Sequence, residues 1–298
     1  MISRIKTFLR IVAVVKNWFF VLLAYIFPRE SFFAVFRNGY KMKFSPETRK
    51  DFINYVNFFR IFPFGRIENG EATIKYGLND LIFNFGEMGP CVLSEVFGTE
   101  IYKESLENFN IKNKTIIDIG ASFGDTAIYF ALHGAKKVYA FEPLPSVYKL
   151  AKENIRLNNL QDKCQVINAA VGWGSGAYLE DPKFEYIFER DLEEYKKNKQ
   201  IPIITPQDVV NRFKIENAVL KIDCEGREYD IILNSPDELL KKFDYIIIEY
   251  HYGFENLQKK LQAAGFSVIC EKPAKLYASD RQAGRKRMLI GYLYATRI

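Results

Sequence analysis

The stretch Thr115-Ile-Ile-Asp-Ile-Gly-Ala-Ser-Phe-Gly-Asp-Thr126, followed by Val138-Tyr-Ala-Phe-Glu-Pro143, limits the possible folds of this chain more than any other. Ile116, Ile117 and Ile119 are β-branched and apolar, as a strand covered on both faces requires. Gly120 and Gly124 lack a Cβ, so the backbone can turn sharply and approach a ligand closely. Thr126 to Leu132 then reads as a helix whose N-terminus offers free N–H groups. Asp118 falls at the strand's end, where open parallel sheets take ligands. Glu142 ends the next strand about two dozen residues on, the spacing of an acid that accepts hydrogen bonds from ribose hydroxyls.

The turn is not the one a dinucleotide needs. A dinucleotide loop reads G-x-G-x-x-G, and here the middle position, where a pyrophosphate approaches the backbone, holds Ser122. A carboxylate just before the turn repels phosphate and suits a cationic amino-acid moiety, held directly or through water. Together these features point to S-adenosylmethionine as cofactor and away from NAD.

At 298 residues the chain has room for one large domain, or one domain with an extension. A hydrophobic content of 48%, with 26 Phe and 18 Tyr, supports a sizeable core and argues against disorder. The net charge of +6 permits attraction to anionic membranes or phosphorylated substrates. Both signs of charge are mixed along the chain, so nucleic acid is not an expected partner. Cys91, Cys164, Cys224 and Cys270 lie far apart and form no C-x-x-C, which leaves zinc without a ligand set and fits a reducing, cytoplasmic setting.

Three divisions are expected. In residues 1–29, Trp18 to Phe27 is an unbroken apolar run, preceded by Ile11 to Val15 and interrupted only by Lys16 and Asn17. On a helix Ser3, Lys6, Thr7, Arg10 and Asn17 share a face, and Arg4, Lys6, Arg10 and Lys16 add positive charge. The run is short for a membrane span, contains a lysine, and precedes no small-residue cleavage site. Two readings stay open: a basic amphipathic helix lying peripherally on the anionic inner face of the cell membrane, or a helix packed against the protein body or a second copy. Residues 30–110 form a mixed α/β extension, with a strand over Gly39–Phe44, a helix over Phe52–Phe59, a hairpin formed by Ala72–Tyr76 and Leu81–Phe85, and helical spacing over Val92–Leu106.

From 111 to 298 the order is regular. Strands are expected at Thr115–Gly120, Lys137–Glu142, Gln165–Val171, Ala218–Asp223, Tyr245–His251, Ser267–Glu271 and Met288–Thr296. Helices are expected at Asp125–Leu132, Ser146–Asn158, Pro206–Phe213, Glu228–Asn234 and Phe254–Ala264. This alternation implies an α/β fold with a parallel sheet covered on both faces. The last two strands have no helix between them, so one is expected antiparallel at the sheet edge. Between Gly172 and Thr205 the rhythm breaks into a segment that reads equally as a lid, a binding loop or a solvated excursion.

Taken in order, Ile117-Asp-Ile-Gly-Ala-Ser-Phe-Gly-Asp125, Ala140-Phe-Glu-Pro143, Asn168-Ala-Ala-Val-Gly172, Leu220-Lys-Ile-Asp-Cys-Glu-Gly226 and Ile248-Glu-Tyr-His251 make Ile111 to Ile298 resemble the FkbM-type S-adenosylmethionine-dependent methyltransferases. Ile204-Thr-Pro-Gln-Asp-Val209 resembles that family's Thr-Leu-Asp segment, departing at Pro206 and Gln207. The resemblance implies a seven-stranded Rossmann-like class I methyltransferase sheet with its last strand antiparallel. It implies that Asp118, Gly120, Ala121 and Gly124 shape the cofactor pocket, that Glu142, followed by Pro143, binds the ribose hydroxyls, and that Asn168 and Ala169 lie beside the adenine. It also implies methyl transfer to a hydroxyl oxygen of a sugar or related small molecule.

A sugar hydroxyl is a weak nucleophile at neutral pH, so a base is expected beside it. Asp223, Glu225, Glu249 and His251 sit at strand ends on the ligand side. His251 is the expected base, because its ordinary pKa lies nearest neutrality, with Glu249 orienting it or Asp223 acting itself; a merely hydrogen-bonded histidine is the plainer alternative. Such a cluster also suits Mg²⁺ or another divalent ion, but carboxylate pairs at sheet ends are common without one, and no metal ligand is assigned. Arg281, Arg285, Lys286 and Arg287 form a basic loop suited to an anionic substrate, a lipid head group or solvent. Asp223-Cys-Glu-Gly226 stands where a nucleobase methyltransferase would carry an Asn/Asp-Pro-Pro-Tyr element, so a base is not the expected acceptor. The sequence thus reads as an O-methyltransferase acting on a glycan or glycolipid precursor. The alternative is a catalytically silent, membrane-associated scaffold or glycan-binding protein.

Overall fold

The chain divides into two units, Met1–Lys103 and Glu104–Ile298, in a computed structural model that describes residues 2–26, 32–45, 47–86, 88–173, 201–273 and 289–298. The first unit begins with α1 (Ile2–Val14) and α2 (Trp18–Ile26). It continues through β1 (Phe32–Val35), β2 (Lys41–Phe44), α3 (Arg49–Ile61), β3 (Arg66–Glu68), β4 (Glu71–Tyr76) and β5 (Asn79–Asn84). The apolar N-terminus breaks into two helices at Asn17. The carboxamide of Asn17 accepts from the Val35 amide at 2.8 Å and donates to the Phe33 carbonyl at 2.9 Å, bonds that hold β1 instead of continuing a helix.

Ile11, Val15 and Val21 are buried, whereas Ile5, Phe8, Leu9, Phe19, Phe20 and Phe33 are exposed. Phe8, Trp18, Phe19 and Phe20 form a chain of edge-to-face ring contacts. Among the described residues no helix is long and apolar enough to cross a membrane. The helical spacing over Val92–Leu106 does not produce one helix. A 3₁₀ turn (Pro90–Val92), a π turn (Ser94–Gly98) and the short α4 (Lys103–Asn108) take its place, and Glu100 interrupts them in the left-handed region at φ +49°.

The second unit runs β6 (Thr115–Ile119), α5 (Asp125–Leu132), β7 (Lys137–Phe141), α6 (Pro145–Leu157), β8 (Cys164–Ile167), β9 (Ala170–Val171) and β10 (Ile203–Ile204). It ends with α7 (Pro206–Phe213), β11 (Ala218–Ile222), α8 (Glu228–Leu233), α9 (Asp237–Leu240), β12 (Phe243–Tyr250), α10 (Glu255–Ala263), β13 (Phe266–Cys270) and β14 (Gly291–Arg297). Seven of these strands form one sheet in the order β13-β14-β12-β11-β6-β7-β8. Every pairing is parallel except those of β14, which runs antiparallel to both of its neighbours.

The reversed strand is therefore internal, which corrects the expectation of an antiparallel edge. The crossover through α10 keeps β13 parallel to β12 but leaves a space one strand wide, and β14 returns into it. Paired on both sides, β14 exposes no ladder edge. The strand expected over Gln165–Val171 is two pieces, and β9 pairs in parallel with β10 instead of joining the large sheet. Most of the Gly172–Thr205 segment and the basic cluster Arg281, Arg285, Lys286 and Arg287 fall outside the described residues.

Local sequence explains individual elements. Pro206 opens α7 at its first position, where its missing N–H costs no bond. Thr205 and Asp208 close a reciprocal capping box around it, with Thr205 Oγ1 accepting from the Asp208 amide at 3.1 Å. Ile116, Ile117, Ile222, Ile246, Ile247 and Ile248 are fully buried in the centre of the sheet, which accounts for the near-continuous apolar runs of β6, β11 and β12.

The ends of β6 and β11 meet at Gly120. Its φ is +81°, and a Cβ there would stand 1.7 Å from the Asp223 carbonyl oxygen. Gly120→Ala must therefore both adopt a disfavoured backbone conformation and push the two loops apart. We expect it to lower unfolding free energy by about 2 kcal/mol or more in urea titration. Unchanged stability would show that the two loops are free to separate.

Candidate active site

The cofactor half of the site is built where β6 and β7 end. After Ile119 the chain doubles back through Gly120 and Ala121, whose amides both donate to the Phe141 carbonyl at 3.0 Å. The Glu142 carboxylate accepts the Ser122 amide at 3.1 Å and the Leu144 amide at 2.9 Å. It thereby fixes both turns, and a carboxylate oxygen has room for more than one donor. The Asn168 side chain donates to the carbonyls of Glu142 and Pro143 at 2.9 and 2.8 Å, so its amide nitrogen braces the ribose-side turn. Ala169 is fully buried in the core cluster beneath. Gly124 lets α6 pack closely, a Cβ there lying 3.2 Å from Ala151 Cα.

Asp118 departs from the expected arrangement. It is fully buried, with Oδ1 ion-paired to Lys221 Nζ at 3.0 Å and Oδ2 accepting from Thr126 Oγ1 at 2.5 Å. The cation expected from a ligand is here the protein's own Lys221, which also donates to the Gly120 carbonyl at 2.9 Å. Burial opposes a charge on Lys221, but Asp118 and then Asp223 outweigh it and hold the ammonium well above the ordinary lysine value. Asp125, buried at the start of α5, is pushed up to about 7 by burial, against the pull of Lys221. Sequence reasoning missed Lys221. Its signal was a lysine inside an otherwise apolar central strand.

The acceptor half lies where β11 and β12 end. His251 is 2% exposed. Its Nδ1 lies 3.0 Å from Glu228 Oε1 and its Nε2 3.3 Å from Glu225 Oε2. Glu228 is fully buried and also accepts the backbone amides of His251 at 2.9 Å and Gly226 at 2.8 Å. Burial disfavours the imidazolium, but the Glu228 hydrogen bond and charge, then Glu225 and Asp223, outweigh it and push His251 up to about 9. An imidazolium has no lone pair for a proton, and Nδ1 is already committed to Glu228, with the Glu225 carboxylate 3.3 Å from Nε2, so this geometry disfavours His251 as the base. Glu228, the residue that clamps it, was not among the sequence candidates.

Asp223, Glu249 and His251 each bring one ligand-type atom within 4.8 Å of the others. That spacing suits a divalent ion, for which the imidazole would have to give up a proton. The cluster includes a pair of carboxylates, Asp223 and Glu249. Glu249 is half-buried, with Oε2 accepting from the Tyr292 hydroxyl at 2.6 Å. Burial first, and the charge of Asp223 second, push it up to about 7.

The residues fit a sulfonium nucleoside. Glu142 offers a carboxylate at the end of the second strand that a nucleoside could meet, the turn contains Ser122 in place of the glycine a pyrophosphate needs, and the far end carries the acids Asp223, Glu225 and Glu249 with no uncommitted cation among the described side chains named there. This sheet order, with its reversed internal strand and a glycine turn and ribose-type acid at the first two strand ends, defines a class I S-adenosylmethionine-dependent methyltransferase. The methyltransferase FkbM domain matches residues 118–268, just over half of the chain, and the chain belongs to that family.

Among curated relatives, a ribosomal protein L11 methyltransferase from Carboxydothermus hydrogenoformans is 41% identical over 69 residues, 23% of each chain. Protein arginine N-methyltransferase 6 of Xenopus tropicalis is 29% identical over 82 residues, 27% of this chain and 24% of that one. The chain thus spans about a quarter of the length of these relatives. Of solved structures, the M. jannaschii tRNA m1G37 methyltransferase aligns with a TM-score of 0.44 and 18% identity over 78% of this chain and 58% of that one.

The imidazolium makes a signed prediction. Because its pKa is higher folded than the ordinary 6.5, His251 contributes stability that is complete below about pH 6.5 and is lost as pH rises through about 9. Relative to His251→Gln, the wild type should lose up to about 3 kcal/mol between about pH 6 and pH 10 in urea unfolding. Parallel pH dependence in the two proteins would remove the imidazolium.

Proposed function

We propose that this methyltransferase acts on oxygen, methylating a hydroxyl of a sugar, glycan or glycolipid precursor. The observation that carries this is the Asp223–Glu249 pair. A hydroxyl must lose its proton as the new bond forms, and Glu249, pushed up to about 7, is poised to take it near neutral pH. When bound, S-adenosylmethionine supplies the methyl group as a sulfonium electrophile. Tyr292 holds one oxygen of Glu249 and orients the other. Asp223 keeps the proton affinity of Glu249 high. Glu142 takes the ribose hydroxyls, with Asn168 and Pro143 shaping that turn and Gly120, Ala121 and Gly124 giving it depth. Asp118 serves this pocket through Lys221, while on the acceptor side Glu225 stands beside the buried His251.

The named relatives act on ribosomal protein L11 and on protein arginine, which makes a protein acceptor the second reading. Their matched stretches are short, so the acceptor has to be found by experiment. The proposed working place is peripheral, at the inner face of the cell membrane. No acidic residue precedes Glu30, while Lys6, Arg10 and Lys16 are exposed alongside Ile5, Phe8, Leu9, Phe19, Phe20 and Phe33. An apolar surface flanked by cations alone suits an anionic bilayer.

Methyl-labelled S-adenosylmethionine should transfer label to lipid-linked or free glycans of the source organism. Glu249→Gln should retain S-adenosylhomocysteine binding by calorimetry and lose about 10²-fold in transfer, whereas Glu142→Ala should lose binding itself. Label found only on protein nitrogen would overturn the oxygen acceptor, and full activity of Glu249→Gln would remove the base.

The membrane surface has its own test. The full chain should co-sediment with phosphatidylglycerol vesicles and not with phosphatidylcholine vesicles, and Phe19→Ser with Phe20→Ser should weaken that by about tenfold or more. Equal sedimentation of wild type and variant, or none by either, would remove the peripheral placement.

A further inference from the structure

We propose that Lys221 is a positioning residue that couples the two halves of the site: one buried ammonium holds the cofactor turn to the acceptor-side loop and fixes the geometry of both. The proposal rests on the methyltransferase reading of that same site.

Four geometric facts carry it. Lys221 sits on β11, the sheet's central strand, and its side chain is 2% exposed. An ammonium has three donors and no acceptor. One donates to the Gly120 carbonyl of the cofactor turn at 2.9 Å, and the charge is paired with Asp118 Oδ1 on β6 at 3.0 Å. Asp223 Oδ2 lies 4.0 Å away on the acceptor side. The two loops also touch directly, since any Cβ on Gly120 would overlap the Asp223 carbonyl. A shift of the ammonium therefore cannot be absorbed by one loop alone.

Asp118 alone would justify a lysine as its counter-charge. The bond to the Gly120 carbonyl goes further. It pins the peptide that turns the chain toward the ribose acid, next to the Ala121 amide that bonds to Phe141. The approach to Asp223 goes further still. A positive charge there lowers the proton affinity of Glu249, the opposite of what burial does to that group.

The test compares Asp118→Asn with the double variant Asp118→Asn/Lys221→Met. The double variant removes both members of the buried pair, so it avoids stranding a charge that Lys221→Met alone would leave on Asp118. If Lys221 only balances Asp118, the two variants bind S-adenosylhomocysteine alike, and the Glu249 carboxyl, followed by ¹³C NMR, titrates at the same pH in both. If it is a positioning residue, the double variant binds at least about tenfold more weakly than Asp118→Asn, and Glu249 titrates at higher pH. Matching affinities with matching titrations in the two folded proteins would overturn the proposal. Failure of the wild type to bind S-adenosylhomocysteine would instead overturn the cofactor reading, and the Glu249 titration would still decide the part played by Lys221. Should the double variant not fold, Asp118→Asn/Lys221→Gln, which keeps a donor without the charge, gives the same titration comparison.

Discussion

A buried ammonium on the central strand is the constraint around which the second unit is organised. Removing Lys221 from water is expensive, and the surrounding carbonyl and carboxylates must compensate within the protein. Asp118, the Gly120 carbonyl and Asp223 do so. Each of those groups lies at the end of β6 or β11, so the ion pair can form only when the two strands are in register. Truncating one partner of such a pair typically costs about 3–5 kcal/mol, because the other charge stays buried. The register of the sheet and the shape of the turn are thus secured by the same contact.

A second buried pair repeats this logic on the acceptor side. Glu228 is fully buried, and what offsets its desolvation is the imidazolium of His251 together with two backbone amides. The consequence is an allocation of charge. Both cations of the site are committed, one to Asp118 and one to Glu228, while Asp223 and Glu249 keep only partial compensation. Had His251 been neutral, it would have competed with them as a proton acceptor. Held as a cation, it instead supports the acids around it.

Much of this was legible in the sequence, for reasons that differ by element. α5 and α7 begin and end at the expected residues because a glycine turn precedes one and the Thr205–Asp208 capping box defines the other. Buried strands such as β6 and β11 announce themselves as apolar runs. The location of β14 could not be read, because a hairpin return and an insertion between two strands have the same local pattern. Asn17 looked like a polar interruption of one helix, and only its bonds to β1 make it a break. Lys221 and Glu228 escaped for a related reason. A charged residue in or beside a motif looks solvated until its partner, over a hundred positions away for Asp118 and just past β12 for His251, is brought to it by folding.

The same remoteness bears on the choice of base. An ordinary pKa near neutrality recommends histidine only if its surroundings are neutral. Here the surroundings decide. Two carboxylates whose oxygens lie within 4.8 Å of each other repel, which raises the proton affinity of Glu249. Burial of Glu249 acts in the same direction and is the larger effect, while the Tyr292 hydroxyl and nearby His251 and Lys221 restrain it. The balance leaves a carboxyl near 7, close to the value a general base needs, on the residue that a reading from ordinary pKa values would treat as permanently ionised. Chemistry at this site is set less by which residue types are present than by which of them the two buried cations leave uncompensated.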